Sequence, residues 1–226
     1  MRSRIAAWAA CSLLLACAIS ACGGSSGNGV ASKSPDAIVS AARAAVDSAK
    51  SAHISGRIIS GSSDATLNLD LVSGQGGSGV VSEGGLNFKL EVVAHEVYVN
   101  APSAFWTRLV GASFAKLLQN RWLKAPESGR FATLAQLTNL RALTAIALST
   151  RGKLVKGGTT TINGQSVVGV RDASADATIY VATTGQPYPL EIVELGSQGG
   201  RIMLDKFNQS VSLTPPPNAT DISKFK

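Results

Sequence analysis

Two residue types that often carry covalent or metal chemistry, cysteine and histidine, are scarce in this chain. Three cysteines occur, Cys11, Cys17 and Cys22. The first two fall in an N-terminal apolar run, and the third ends it. Beyond Cys22 no thiol is left for a disulfide, a zinc site or a nucleophile, so the fold must hold by packing alone. Only two histidines are present, His53 and His95, and neither sits in a metal-ligand spacing. No Gly-x-Ser-x-Gly elbow occurs, and no Gly-rich phosphate loop lies between a strand and a helix. Glu191 and Glu194 fall on opposite faces of one strand and make a poor acid–base pair. These absences exclude the familiar enzyme chemistries, and neither a metal nor a cofactor is expected.

Charge is also sparse, at 15% of residues, with a formal net charge of +7. Removing Arg2 and Arg4 with the N-terminal run leaves 19 basic against 14 acidic residues. The basic residues are scattered, with no polybasic run and no aromatic–basic interleaving, which argues against a nucleic-acid partner. The excess suits a soluble surface with a modest positive balance, or contact with anionic lipid head groups.

What is present begins at the N-terminus. Met1-Arg2-Ser3-Arg4 precedes an apolar stretch that ends in Ile19-Ser20-Ala21-Cys22. A basic start, an apolar run and small residues before a cleavage point make a secretory signal. A cysteine directly after the small residues resembles the lipoprotein signal of bacteria, in which that cysteine is acylated and becomes the first mature residue. Residues 1–21 are thus read as signal, Cys22 as the lipidation site, and the location as extracytoplasmic, anchored to the outer face of the cell membrane or to the envelope. The competing reading is an uncleaved span, but the run of about seventeen residues is at the short limit for one. Leu14-Leu15-Ala16-Cys17 is a weaker alternative cleavage site. Residues 23–33 are Gly/Ser-rich and predict a tether with a reach of roughly 20 Å. Residues 34–226 suffice for one domain.

Ser34-Pro35-Asp36 opens a helix: Ser34 caps, Pro35 suits the first turn, and Asp36 favours the positive end. Ile38, Ala41, Ala42, Ala45, Val46 and Ala49 then form one stripe. From His53 the period becomes two. Strands are predicted over 53–60, 65–72, 79–82, 86–93 and 97–100, with residues 74–79 as a Gly-rich turn. Short helices follow over 103–109 and 112–118, then an extended piece at Arg121-Trp122-Leu123-Lys124. Apolar residues from Phe131 to Ile146 recur every three residues, which a straight α-helix would rotate by about 60° per step. Two short helices broken at Thr138-Asn139 are expected instead. Strands resume over 153–161, 166–171, 178–183, 190–195 and 200–207, the first pair joined by the hairpin dipeptide Asn163-Gly164. The layout is α+β: one large, curved antiparallel sheet, a half-barrel, with helices covering its apolar concave face.

Two outcomes fit that pattern. Sheet and helices either pack as a dry core or leave a pocket for an acyl chain, whose burial contributes roughly 0.8 kcal/mol per methylene. On the sheet side the candidate lining is Leu67, Leu69, Leu71, Leu86, Phe88 and Leu90. On the helix side it is Phe105, Phe114, Leu117, Phe131, Leu134, Leu140, Leu143 and Ile146. A register error of one residue would invert a strand's assignment.

Phe105-Trp106, Arg121-Trp122-Leu123-Lys124, Thr159-Thr160-Thr161-Ile162-Asn163-Gly164-Gln165, Thr178-Ile179-Tyr180-Val181 and Pro187-Tyr188-Pro189-Leu190, in that order, resemble the LppX/LprG family of actinobacterial lipoproteins. Asp205-Lys206-Phe207-Asn208 and Pro215-Pro216 extend the likeness, and the layout is more distantly similar to the LolA/LolB lipoprotein carriers. The resemblance implies a half-barrel with helices across its mouth and a hydrophobic cavity between them. It also implies a non-enzymatic, monomeric carrier of acylated lipid or glycolipid that hands its load to the envelope, with a lipid exporter as partner. The alternative on the same scaffold is a protein-interaction or envelope-sensing module.

Overall fold

The computed structural model describes residues 27–60, 63–196 and 199–223. Cys22 and the signal segment lie outside the described residues. Among the described residues, twelve strands form a single open sheet in the order β12-β6-β5-β4-β3-β2-β1-β11-β10-β9-β8-β7. Every pairing in it is antiparallel except β12 with β6, which is parallel. Five α-helices complete an α+β half-barrel fold.

The first helix, α1 (Pro35–Ser48), begins where the sequence places it. Ser34 caps it by accepting from the Ala37 N–H at 3.4 Å, and Ile38, Val39, Ala42, Ala45 and Val46 are buried. A five-strand meander follows: β1 (Ser51–Ser60), β2 (Ser63–Val72), β3 (Gly76–Glu83), β4 (Leu86–Val93) and β5 (Glu96–Asn100). Two short helices, α2 (Ser103–Val110) and α3 (Ala112–Leu118), lead to β6 (Trp122–Pro126). Next come α4 (Ala132–Gln136) and α5 (Leu140–Ala147), separated at Thr138-Asn139. Asn139 caps α5 by accepting from the Ala142 N–H at 3.0 Å. A second antiparallel run contains β7 (Leu154–Ile162), β8 (Gln165–Asp172), β9 (Ala177–Ala182), β10 (Pro189–Glu194) and β11 (Gly200–Asp205). β11 pairs with β1, which joins the two runs into one sheet.

Three features depart from the sequence reading. β3 starts at Gly76, inside the predicted turn, because the glycines there serve close strand approach. Gly76 has φ +118°, and a Cβ on it would run into the Val92 carbonyl. A two-residue strand, β12 (Thr220–Asp221), pairs alongside β6 and carries no periodic signal of its own. The tether is part of the domain from Asn28 onward: Val30 opens a 3-10 turn, Val30–Ser32, and is buried in the core.

Candidate functional site

Side chains alternate between the sheet's two faces, and the register defines which share the core side. Ile54, Leu69 and Leu90 lie on it with Leu204. The core-side row nearest one end of the strands runs Leu86, Glu83, Ala65, Ile58, Gly200, Glu194, Ala177, Asp172 and Leu154. This row is the rim of a mouth between the sheet and helices α2, α4 and α5.

Two clefts open along the rim. The first encloses about 300 Å³ between β4 and helices α2 and α4, with Leu86, Phe88, Phe105, Leu109 and Leu134 as its apolar lining. Phe105 stands against Phe88, ring centroids 4.7 Å apart, and edge-on to Trp106 at 5.1 Å. Trp106 is fully buried and donates its indole N–H to the Ala101 carbonyl at 3.2 Å, which fixes the root of α2. The second cleft encloses about 250 Å³, with Ile58, Leu143, Ile146, Ala147, Ile192 and Ile202 as its apolar lining. Ile146 is 73% exposed and Ile58 41%, and both border this cleft. A third apolar pocket of about 420 Å³ lies beside α3, with Phe114, Leu118 and Phe131 in its wall.

The predicted lining residues thus divide. Leu67, Leu69, Leu71 and Leu90 share the core face as expected, but they are packed, at 7% exposure or less, as is Leu140. Leu86, Phe88, Phe105 and Leu134 border the first cleft, Leu143 and Ile146 the second, and Phe114 and Phe131 the third. Leu117 is exposed and borders none of these pockets. The two rim clefts are at or below the small end of ligand pockets, which span roughly 300–1,000 Å³, and the third pocket lies within that range.

Sequence reasoning did not single out the cations of the mouth. Arg108 and Arg130 border the first cleft, Arg57 and Arg151 the second. Far apart in sequence, they show no cluster until the topology gathers them. Arg57 grips Asp64 through two hydrogen bonds of 2.7 and 2.6 Å, which hold the Asp64 carboxyl below its ordinary range. Arg108, Arg130 and Arg151 form no ion pair among the described residues. Asp172 is 2% exposed and accepts from the backbone N–H groups of Arg151, Gly152 and Ser174. Those bonds, Arg151 first, hold its carboxyl below the ordinary value and shape the loop at the rim.

The histidines lie elsewhere. His53 is on the opposite sheet face, with Nδ1 2.7 Å from Asp205 and Nε2 3.2 Å from Asn68. His95 sits in the β4–β5 turn, 3.4 Å from Glu127. Among the described residues no helix is long and apolar enough to cross a membrane.

No family model and no curated protein matches the chain. Solved structures do. The lipoprotein LppX of Mycobacterium tuberculosis aligns over 80% of this chain and 100% of its own, at 18% identity and a TM-score of 0.50. LprF from Mycobacterium bovis aligns over 80% of this chain and 96% of its own, at 15% identity and a TM-score of 0.48. An uncharacterized conserved protein of Thermus thermophilus aligns over 84% of this chain and 98% of its own, at 14% identity and a TM-score of 0.39. The chain has the fold of the lipoprotein LppX.

Proposed function

We propose that this chain is a membrane-anchored extracytoplasmic lipoprotein that binds acylated lipid or glycolipid between sheet and helices and carries it to or within the cell envelope. The observation that carries this reading is the pair of apolar clefts on one rim, closed by helices of only five to eight residues. Helices this short have little stability of their own and hold their place by packing, so they can yield to an entering chain. Phe105 is the plug of the first cleft, and Arg108 and Arg130 are placed to meet an anionic head group. The lipoprotein signal at Cys22 and the LppX-like fold support the same reading. Nothing in the site performs catalysis in this account.

The test is uptake of a fluorescent acyl probe by the mature chain carrying Cys22→Ser. Saturable uptake, lost on Leu86→Glu with the fold intact, is the expected result. No uptake by folded protein would refute the carrier reading. A second reading, an interaction or sensing module, is favoured by the packed Leu69–Leu71 section of the core and by exposed Leu117 and Leu195.

A further inference from the structure

The segment ahead of α1 decides which way the mouth looks. Asn28 Nδ2 donates to the carbonyls of Ala182 and Gly185, each at 3.0 Å. The Asn28 backbone N–H donates to the Thr183 carbonyl at 2.7 Å, and Asn28 Oδ1 accepts from the Val30 N–H at 3.0 Å. Lys156 Nζ donates to the carbonyls of Ala31 and Lys33 at 3.1 and 3.2 Å. The chain is therefore fastened from Asn28 onward, starting at the turn between β9 and β10.

That turn is at the far end of the strands from the mouth. Ala182 pairs with Val167, whereas the rim crosses β9 at Ala177 and β8 at Asp172. The extended chain from Ala177 to Thr183 spans about 20 Å. Between Cys22 and Gly27 there are five chain steps, which reach at most about 18 Å even when fully extended. A mouth pressed onto the bilayer that holds Cys22 would need residues 22–27 drawn out to nearly their full length, whereas the opposite orientation needs no such stretch.

We infer that the mouth is held away from the anchoring bilayer and presents Ile58 and Ile146 to a second lipid surface. This rests on the proposed acylation of Cys22 and on the clefts taking acyl chains. The rim has the chemistry for such a contact. Two exposed isoleucines stand at the cleft. Around the mouth lie Arg108, Arg130, Arg151 and Lys153, none in an ion pair among the described residues, against Glu83 and Glu194. Apolar side chains that enter an interface while arginines reach for phosphates are the usual means of lipid-surface contact. An acyl chain leaving the cleft avoids water only if the mouth touches its destination.

The acylated mature protein tests this in vesicles of phosphatidylethanolamine and phosphatidylglycerol. Since no cysteine follows Cys22, Ile146→Cys and Gln186→Cys each accept a single fluorophore, read by a quencher attached to lipid head groups. With quencher in the anchoring vesicle, the label at Gln186 is expected to be quenched several-fold more than the label at Ile146. With quencher only in added vesicles, the order reverses. Inserting about twenty Gly/Ser residues after Ser26 extends the reach and lets the Ile146 label be quenched by its own bilayer. Equal quenching of both labels by the anchoring vesicle in the unextended protein would overturn the inference, as would no quenching of the Ile146 label by added vesicles. Protein that fails to float with vesicles overturns the acylation beneath it. Protein that docks as expected but takes up no acyl probe overturns the cavity reading alone and leaves the orientation standing.

Discussion

Phe105 of α2 rests against Phe88 of β4 at 4.7 Å between ring centroids, with the rings tilted by 41°. The contact is the seam between the covering helices and the sheet at the first cleft. Removing Phe105 takes a half-buried ring out of the mouth together with its edge-on contact to Trp106, while Trp106 keeps its hydrogen bond to the Ala101 carbonyl. Phe105→Ala is expected to cost about 2 kcal/mol, below the usual 3–5 for a fully buried ring, and to raise the rate of acyl-probe uptake. Urea denaturation and stopped-flow uptake measure the two effects. Slower uptake would show that Phe105 forms the binding wall and is not its plug.

Leu69 and Leu86 separate core from mouth. Both face the helices, but Leu69 is fully buried and Leu86 borders the cleft. Leu69→Ala is expected to lose about 2–5 kcal/mol of stability while leaving probe affinity within about twofold. Leu86→Ala is expected to do the reverse, with a small stability change and weakened binding. Equal stability losses in the two variants would contradict the division.

Asp172 gives the rim a pH dependence of known sign. Its folded carboxyl is held below the ordinary value by backbone N–H donors. The stability it contributes is therefore fully present above its unfolded pKa of about 3.9 and is lost as pH falls through the folded value. Melting curves from about pH 6 to about pH 2 should show the wild type falling more steeply than Asp172→Asn. At neutral pH the variant should melt lower, since an amide cannot accept the same set of donors. Parallel curves would show that the loop does not depend on this carboxylate.

Gly76 holds the start of β3 against β4. Its φ of +118° and the nearby Val92 carbonyl leave no room for a side chain. Gly76→Ala is expected to destabilise, where the same change at an unstrained strand glycine would stabilise by roughly 0.5–1 kcal/mol, and the loss is read as a lower urea midpoint. An unchanged midpoint would mean that the strand pair shifts to accept the methyl group.

Much of this architecture is legible in the residues. The alternation of Leu86, Phe88, Leu90 and Val92 marks β4 with the observed bounds, and the every-third-residue spacing from Phe131 to Ile146 is resolved into α4 and α5 by a break at Asn139. Asn163-Gly164 makes its hairpin with both residues at positive φ. The opening of β3 escapes a sequence reading because composition makes a glycine run look like a turn, when here it permits backbone approach. β12 and the docked Asn28 are set by partners distant in sequence, which local pattern does not encode. The site is legible only by face. Leu67, Leu69 and Leu71 look alike in sequence, and only the position of the helices along the strands decides which apolar residues are packed and which border a cleft.

The most direct test of lipid carriage is native mass spectrometry of the mature chain with Cys22→Ser, purified from a membrane-containing host without detergent. The chain should retain Asn28 and Val30, since truncation at Ser34 would remove a core residue. Protein with copurified acylated lipid, released on denaturation and depleted in Leu86→Glu, is the expected result. A folded protein of bare mass that also takes up no added phospholipid or glycolipid would contradict lipid carriage.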